Sequence, residues 1–236
     1  CIHPAEQVSD VPVVGGTKTP TLSKIKGAQP DLVVMDRDEN PKSVHDWCVA
    51  NGLPTFVCDV RHPRDVPLML RELGQAVNRS EAAEVHARAI EAMLRRAPDT
   101  NGRTALPLIW HRPLMAANGT TYAGNMLACL GFNVPNIEPD GTGYPEVSPE
   151  IILQHGVTDV FLSSEPHEFT NEEGESLSEA FGNLTATPPR IHFIDGEDLT
   201  WMGSRTAEAL QRLGERLNRV HLECCLLYTS PSPRDQ

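Results

Sequence analysis

The sequence predicts an α/β protein of two small lobes with parallel sheets, joined by a single long helix. Three observations predict it. Short apolar runs of strand length alternate with stretches of helical periodicity, the order that builds βαβ units. The alternation occurs in two sets along the chain. Between the sets lies an Ala-, Glu- and Arg-rich segment of high helix propensity, over 80–97. The expected division is therefore 1–79 for the N-terminal lobe, 80–97 for the interlobe helix, 98–222 for the C-terminal lobe and 223–236 for a tail.

The elements follow in order. Thr19-Pro20 reads as an N-cap with proline at the first helical position, opening a short helix with Leu22 and Ile25 inward. Asp31 to Met35 (DLVVM) is a compact apolar run, expected as a strand buried on both faces. Pro41 opens a helix with Val44 and Trp47 on one face, ended by Gly52. Thr55 to Val60 is the next strand, and Asp65 to Val77 a helix with Val66, Leu70, Leu73 and Val77 inward. Asn78 and Glu81 have the spacing of a capping box for the long helix. In the second set, Ala105 to Trp110, Asp159 to Leu162 and Ile191 to Ile194 are strands. Helices are expected over Thr121 to Leu130, from Ser148-Pro149-Glu150 to Gly156, and from Ser204 onward with Leu210, Leu213 and Leu217 inward. The last residues, CCLLYTSPSPRDQ, break off from this periodicity and are expected to be an artefactual or disordered tail.

Composition narrows the function. The chain has 236 residues, with 39% hydrophobic and 22% charged, ordinary values for a globular protein. The formal net charge of -12 disfavours broad nucleic-acid binding, which needs a basic face. No apolar run is long enough to cross a bilayer. There is no GxGxxG after a strand, no GxxxxGK[ST] and no GxSxG, so nucleotide-binding and serine-hydrolase readings lack their motifs. Nine histidines are scattered without HExxH, and no cysteines form CxxC, so no metal-ligand set and no catalytic residues are expected. Cys48 and Cys58 lie on adjacent elements, where a disulfide and two buried thiols are both compatible with the sequence.

In parallel α/β sheets, ligands bind outside the carboxyl ends of the strands. That rule selects Asp36 to Asn40 after the first strand, Trp110 to Met115 after LPLIW, Glu165 to His167 after DVFLSS, and Asp195, Gly196, Trp201, Ser204 and Arg205 after IHFID. From these, with Tyr122 near a helix start, the candidate ligand-binding residues are Glu39, Asn40, Trp110, Arg112, Tyr122, Glu165, Trp201 and Arg205. Trp110 and Trp201 offer flat aromatic surface for a large conjugated ligand. Arg112 and Arg205 offer guanidinium forks for carboxylates, phosphates or amides. Tyr122 also suits a core position, and Glu39-Asn40 also suit a helix cap. An enzyme reading would need a histidine and a carboxylate to converge, and His111 with Glu165, or His167 with Asp195, are the pairs to inspect.

The run VPVVGGTKTPTLSKIKGAQPDLVVMDRDEN resembles the N-terminal lobe of the helical-backbone, class III (Fe/B12-type) substrate-binding proteins of ABC transporters. IWHRPLMAANGTTYAGNML, YPEVSPEII, FLSSEPHEF and DGEDLTWMGSR resemble the second lobe of a branch of the same family. The resemblance implies two Rossmann-like lobes bridged by one rigid helix, with the family's first strand and helix missing ahead of Cys1-Ile2-His3-Pro4. It implies a protein that is not an enzyme and uses no cofactor. Such a protein captures a transported cobalamin or ferric siderophore between its lobes. It hands the ligand to a membrane permease and its ATPase, with acidic surface residues docking to permease arginines. It works as a monomer in the periplasm or anchored on the extracellular side of the membrane. The alternatives on the same two-lobed fold are a tetrapyrrole chelatase-like enzyme and a cytoplasmic metallophore or cobalamin sensor.

Overall fold

A computed structural model describes residues 5–95, 102–138 and 141–217. Cys1, residues 96–97 of the expected long helix and the expected tail at 223–236 lie outside the described residues. The chain forms two compact units, divided after Val60.

The first unit is built on a two-stranded parallel sheet. Strands β1 (Val33–Asp36) and β2 (Thr55–Cys58) pair from Val33 with Thr55 to Asp36 with Cys58. Helices α1 (Ala5–Val8), α2 (Leu22–Gly27) and α3 (Lys42–Ala50) complete it. Ile25, Met35, Val44 and Cys48 form its buried core, with Leu22, Trp47 and Leu53 packed against them. Helix α2 starts later than the Thr19-Pro20 signal, with Thr21 at the N-cap. Pro20 is instead held extended by a bridge to Gly15. The sheet is also less enclosed than the apolar run DLVVM implies. Val34 and Val57 are half exposed, because the core covers one face of β1 and β2 and leaves the alternate side chains outside. Cys48 and Cys58 are both free thiols, which resolves the question the spacing left open.

The second unit begins with a 3₁₀ turn (Pro63–Asp65) and two packed helices, α4 (Val66–Ala76) and α5 (Ser80–Leu94). The turn has its own capping box: His62 accepts from the Arg64 amide while Asp65 accepts from the His62 amide. Val66 and Met69 are buried on α4, whereas Val77 lies beyond its last turn and is exposed. Gly74 lets the two helices approach, since a Cβ there would sit 2.3 Å from that of Ala83. The long helix starts at Ser80, and the expected Asn78–Glu81 box does not form. The N-cap position falls on Arg79, and Asn78 before it takes a left-handed turn conformation (φ 56°).

A four-stranded sheet follows, in the order β4-β3-β5-β6. Strands β3 (Ala105–Trp110), β5 (Asp159–Ser163) and β6 (Arg190–Ile194) are parallel, and the short β4 (Met115–Ala116) runs antiparallel to β3. Helices α6 (Tyr122–Cys129) and α7 (Pro149–Gln154) are capped by Thr121 and Ser148 at the expected points. Helix α8 (Asn171–Leu184) crosses between β5 and β6, α9 (Gly196–Thr200) follows β6, and α10 (Thr206–Arg216) closes the described chain. The sequence pattern announces none of α8, α9 and β4, and α10 begins after Arg205, one residue beyond the expected Ser204 cap. The core between sheet and helices is made by Leu106, Leu108, Val160, Leu162, Leu177 and Phe181, among others.

At the amino end of β5, Asp159 is fully buried in a polar knot. Arg103 Nε donates to its Oδ2 at 2.7 Å, His192 Nε2 lies 2.7 Å from its Oδ1, and Thr158 Oγ1 donates to it at 2.8 Å. This knot pins three strands at the end opposite their carboxyl termini.

Candidate functional site

Strands β3, β5 and β6 run parallel, so their carboxyl ends lie along one edge of the sheet. Five of the expected residues belong to the loops leaving these ends. Trp110 closes β3 and is 41% exposed, high for so large an apolar side chain. Its indole N–H donates to the Arg112 carbonyl at 3.1 Å, which holds the loop against the ring. The Arg112 guanidinium is exposed and has no ion-pair partner among the described residues.

Glu165, Trp201 and Arg205 form one linked set. The Trp201 indole N–H donates to Glu165 Oε2 at 2.7 Å, and the Arg205 guanidinium lies 5.3 Å from the Trp201 ring centroid. Arg205 also pairs with Glu197 at 2.7 Å and with Asp198. Close packing permits the set. A Cβ at Gly196 would lie 2.5 Å from the Glu165 amide, so only glycine lets the turn after β6 approach the loop after β5.

The other three expected residues have local duties. Tyr122 is buried, its hydroxyl 2.8 Å from Thr206 Oγ1, and burial pushes its ionisation well above the usual phenol range. Asn40 accepts from the Asp36 amide and donates to the Thr17 carbonyl, while Glu39 accepts from the Thr17 hydroxyl at 3.1 Å. Together they fasten the turn after β1. Neither caps α3, whose N-cap is Pro41.

The histidines converge on a carboxylate that the sequence reading did not single out. His111 Nδ1 lies 2.5 Å from Glu173 Oε1, and His167 Nε2 lies 3.1 Å from Glu173 Oε2. The pairs His111–Glu165 and His167–Asp195 are thus replaced by one His–Glu–His cluster. Asp195 instead caps α9, accepting from the Glu197 amide. Glu173 stands in the first turn of α8, where Thr170 and Glu173 form a reciprocal capping box. Its carboxyl is held at about 2, first by the Thr170 amide and then by the two imidazoles. Trp110 meets His167 edge-on at 5.8 Å, and Phe169 meets it edge-on at 4.8 Å, so an aromatic wall adjoins the cluster.

A separate surface groove of about 620 Å³ runs over α4 and α5, with Arg71, Glu84 and Arg88 in its walls. Its polar walls carry an ion pair between the helices, Arg71 with Glu84, and one within α5, Arg88 with Glu84, and none of the strand-end candidates lines it.

Residues 2–187 match the family model described as periplasmic binding protein, and the chain belongs to that family. Solved structures share the fold at low identity. A periplasmic heme-binding protein from Pseudomonas aeruginosa matches with a TM-score of 0.72 at 18% identity, over 91% of this chain and 81% of that one. The periplasmic vitamin B12-binding protein BtuF of Vibrio cholerae matches with 0.69 at 14% identity, over 91% and 84%. Staphylococcus aureus SirA matches with 0.68 at 19% identity, over 92% and 86%. No curated protein matches the chain in sequence. The family is one of solute-binding proteins, so the chain is a binding protein and not an enzyme, and the chelatase alternative falls away. No described helix is long and apolar enough to cross a membrane.

Proposed function

We propose that the chain is the substrate-binding component of an ABC importer for a metal chelate of the cobalamin, heme or ferric-siderophore class. It takes the chelate up on the outer side of the cytoplasmic membrane and delivers it, as a monomer, to a permease driven by an ATPase. The observation that carries this reading is Trp110: a large aromatic side chain 41% exposed at a carboxyl strand end, beside the exposed Arg112. An exposed indole presents apolar surface to a planar macrocycle or catechol ring, and an exposed guanidinium matches the carboxylates, phosphates or amides these ligands carry. The Glu165–Trp201–Arg205 set on the neighbouring strand ends supplies a second aromatic face with both signs of charge. The family membership and the ligands named for BtuF and the Pseudomonas heme-binding protein favour the same chemical class.

Of the eight expected residues, Trp110, Arg112, Glu165, Trp201 and Arg205 are assigned to the ligand. Tyr122 is assigned to the core because it is buried, and Glu39 and Asn40 to the turn after β1, where both bond to Thr17. Titration with aquocobalamin, heme and a ferric siderophore, followed by tryptophan fluorescence with inner-filter correction, tests the assignment. Saturable quenching by one of them is expected, with affinity weakened about tenfold or more in Trp110→Ala, the equivalent of about 1.4 kcal/mol. Affinity unchanged from wild type in both Trp110→Ala and Trp201→Ala would contradict the placement of the ligand.

A further inference from the structure

We propose that His111, His167 and Glu173 form a binding site for a single divalent transition-metal ion of the zinc type. The site adjoins the proposed chelate surface through Trp110 but needs no chelate to fill it. The donor atoms of the three side chains all lie within 4.8 Å of one another. Zinc bonds imidazole nitrogen and carboxylate oxygen at about 2.0–2.2 Å, which sets donors on one ion about 3–3.5 Å apart. His167 Nε2 already stands 3.1 Å from Glu173 Oε2, and His111 Nδ1 at 2.5 Å from Oε1 would move out by less than roughly 1 Å. The three donors come from three places in the fold: the loop after β3, the loop after β5 and the first turn of α8. Convergence of the loop after β3 with the β5–α8 connection makes this a tertiary feature and not a local helix-surface pattern.

The surroundings fit a metal centre. Metal-bound carboxylates are oriented by hydrogen bonds from outside the ligand set. The Thr170 amide donates to Glu173 Oε2 at 2.8 Å and does this here. All three side chains are mostly but not fully enclosed, with 19–28% exposure, which leaves an entry path for an ion. Trp110 and Phe169 border the imidazoles and reduce access of bulk water. Two nitrogens and one oxygen leave at least one coordination position for water or a small donor. Imidazole with carboxylate selects zinc, cobalt or nickel over magnesium and calcium, which prefer all-oxygen sites.

The test is direct titration of the full chain with Zn²⁺, after chelator treatment and alkylation of the free cysteines so that thiols take no part. Calorimetry is expected to show one high-affinity ion per chain, with Mg²⁺ giving no comparable uptake. Co²⁺ is expected to give visible d–d absorption without thiolate charge-transfer bands. His111→Ala and His167→Ala are each expected to weaken Zn²⁺ binding by about tenfold or more. Glu173→Gln keeps an acceptor for the Thr170 amide, so it removes the charged ligand while preserving the cap. Circular dichroism checks that each variant folds. No saturable uptake by the wild-type chain would overturn the proposal. So would binding that is undiminished in both the double histidine variant and Glu173→Gln. Neither result depends on whether cobalamin, heme or a siderophore binds, so the two readings fail separately.

Discussion

At the scale of single residues, the buried polar group that matters most to the fold is Asp159. Its carboxylate is fully buried and answered by Arg103, His192 and Thr158. Removing one member of a buried charge set leaves the others without compensation. Asp159→Asn is therefore expected to cost about 3 kcal/mol in denaturant unfolding, with no effect on the strand-end loops. Gly196 acts at the other end of the sheet. An added methyl would meet the Glu165 amide and Ser163 Oγ, at 2.5 and 2.7 Å. Gly196→Ala is expected to lower stability by about 1–3 kcal/mol and to alter Trp201 fluorescence, because the indole bonds to the displaced Glu165. An unchanged Trp201 signal would separate the turn from the site.

At the scale of elements, α8 holds the carboxylate on which both histidines converge, and its start depends on the Thr170–Glu173 box. Thr170→Ala is expected to cost about 1 kcal/mol in thermal or chemical unfolding, the usual worth of an N-cap. The α4–α5 pair makes a pH-dependent prediction. Arg71 pairs with Glu84 at 2.6 Å and with Glu91 at 2.7 Å. Its hydrogen bonds hold the Glu84 carboxyl at about 2 and lower that of Glu91. A depressed folded-state value means the stabilisation is present above the ordinary carboxylate range near 4.5 and is lost as pH falls towards about 2. Melting temperature is expected to drop between pH 5 and pH 3 by more in wild type than in Arg71→Met, and by less at high salt, since these groups are about a third exposed.

The same elements show what the sequence discloses. Strands β3, β5 and β6 were legible from their apolar runs, and the strand-end rule then pointed to Trp110, Arg112, Glu165 and Trp201. Helix α8 was not legible as a periodic segment, because only Gly174, Leu177 and Phe181 of its fourteen residues are buried. With the helix went Glu173, so the sequence offered Glu165 and Asp195 as partners for the histidines in place of the carboxylate they share. Thr170 and Glu173 do stand at capping-box spacing, and that local signal was sufficient to place both the helix start and the carboxylate. The Asn78–Glu81 spacing gave the opposite lesson. The same pattern lies at a helix start without forming a box, because the N-cap position falls on Arg79 and Asn78 before it takes a left-handed conformation.

At the scale of the whole molecule, the chain belongs to a family that binds solutes, and its fold matches structures of binding proteins. The candidate ligand surface on the second unit consists of aromatic and charged side chains at parallel strand ends, the position where α/β sheets receive ligands. Capture of a metal chelate without chemical change is the central claim. Equilibrium binding of aquocobalamin, heme and a ferric siderophore to the full chain, followed by release and spectroscopic recovery of the ligand, tests it most directly. Saturable one-to-one binding of one of the three is expected, with the chelate recovered unchanged. Absence of saturable binding to all three, or recovery of a demetallated or otherwise altered product, would contradict it.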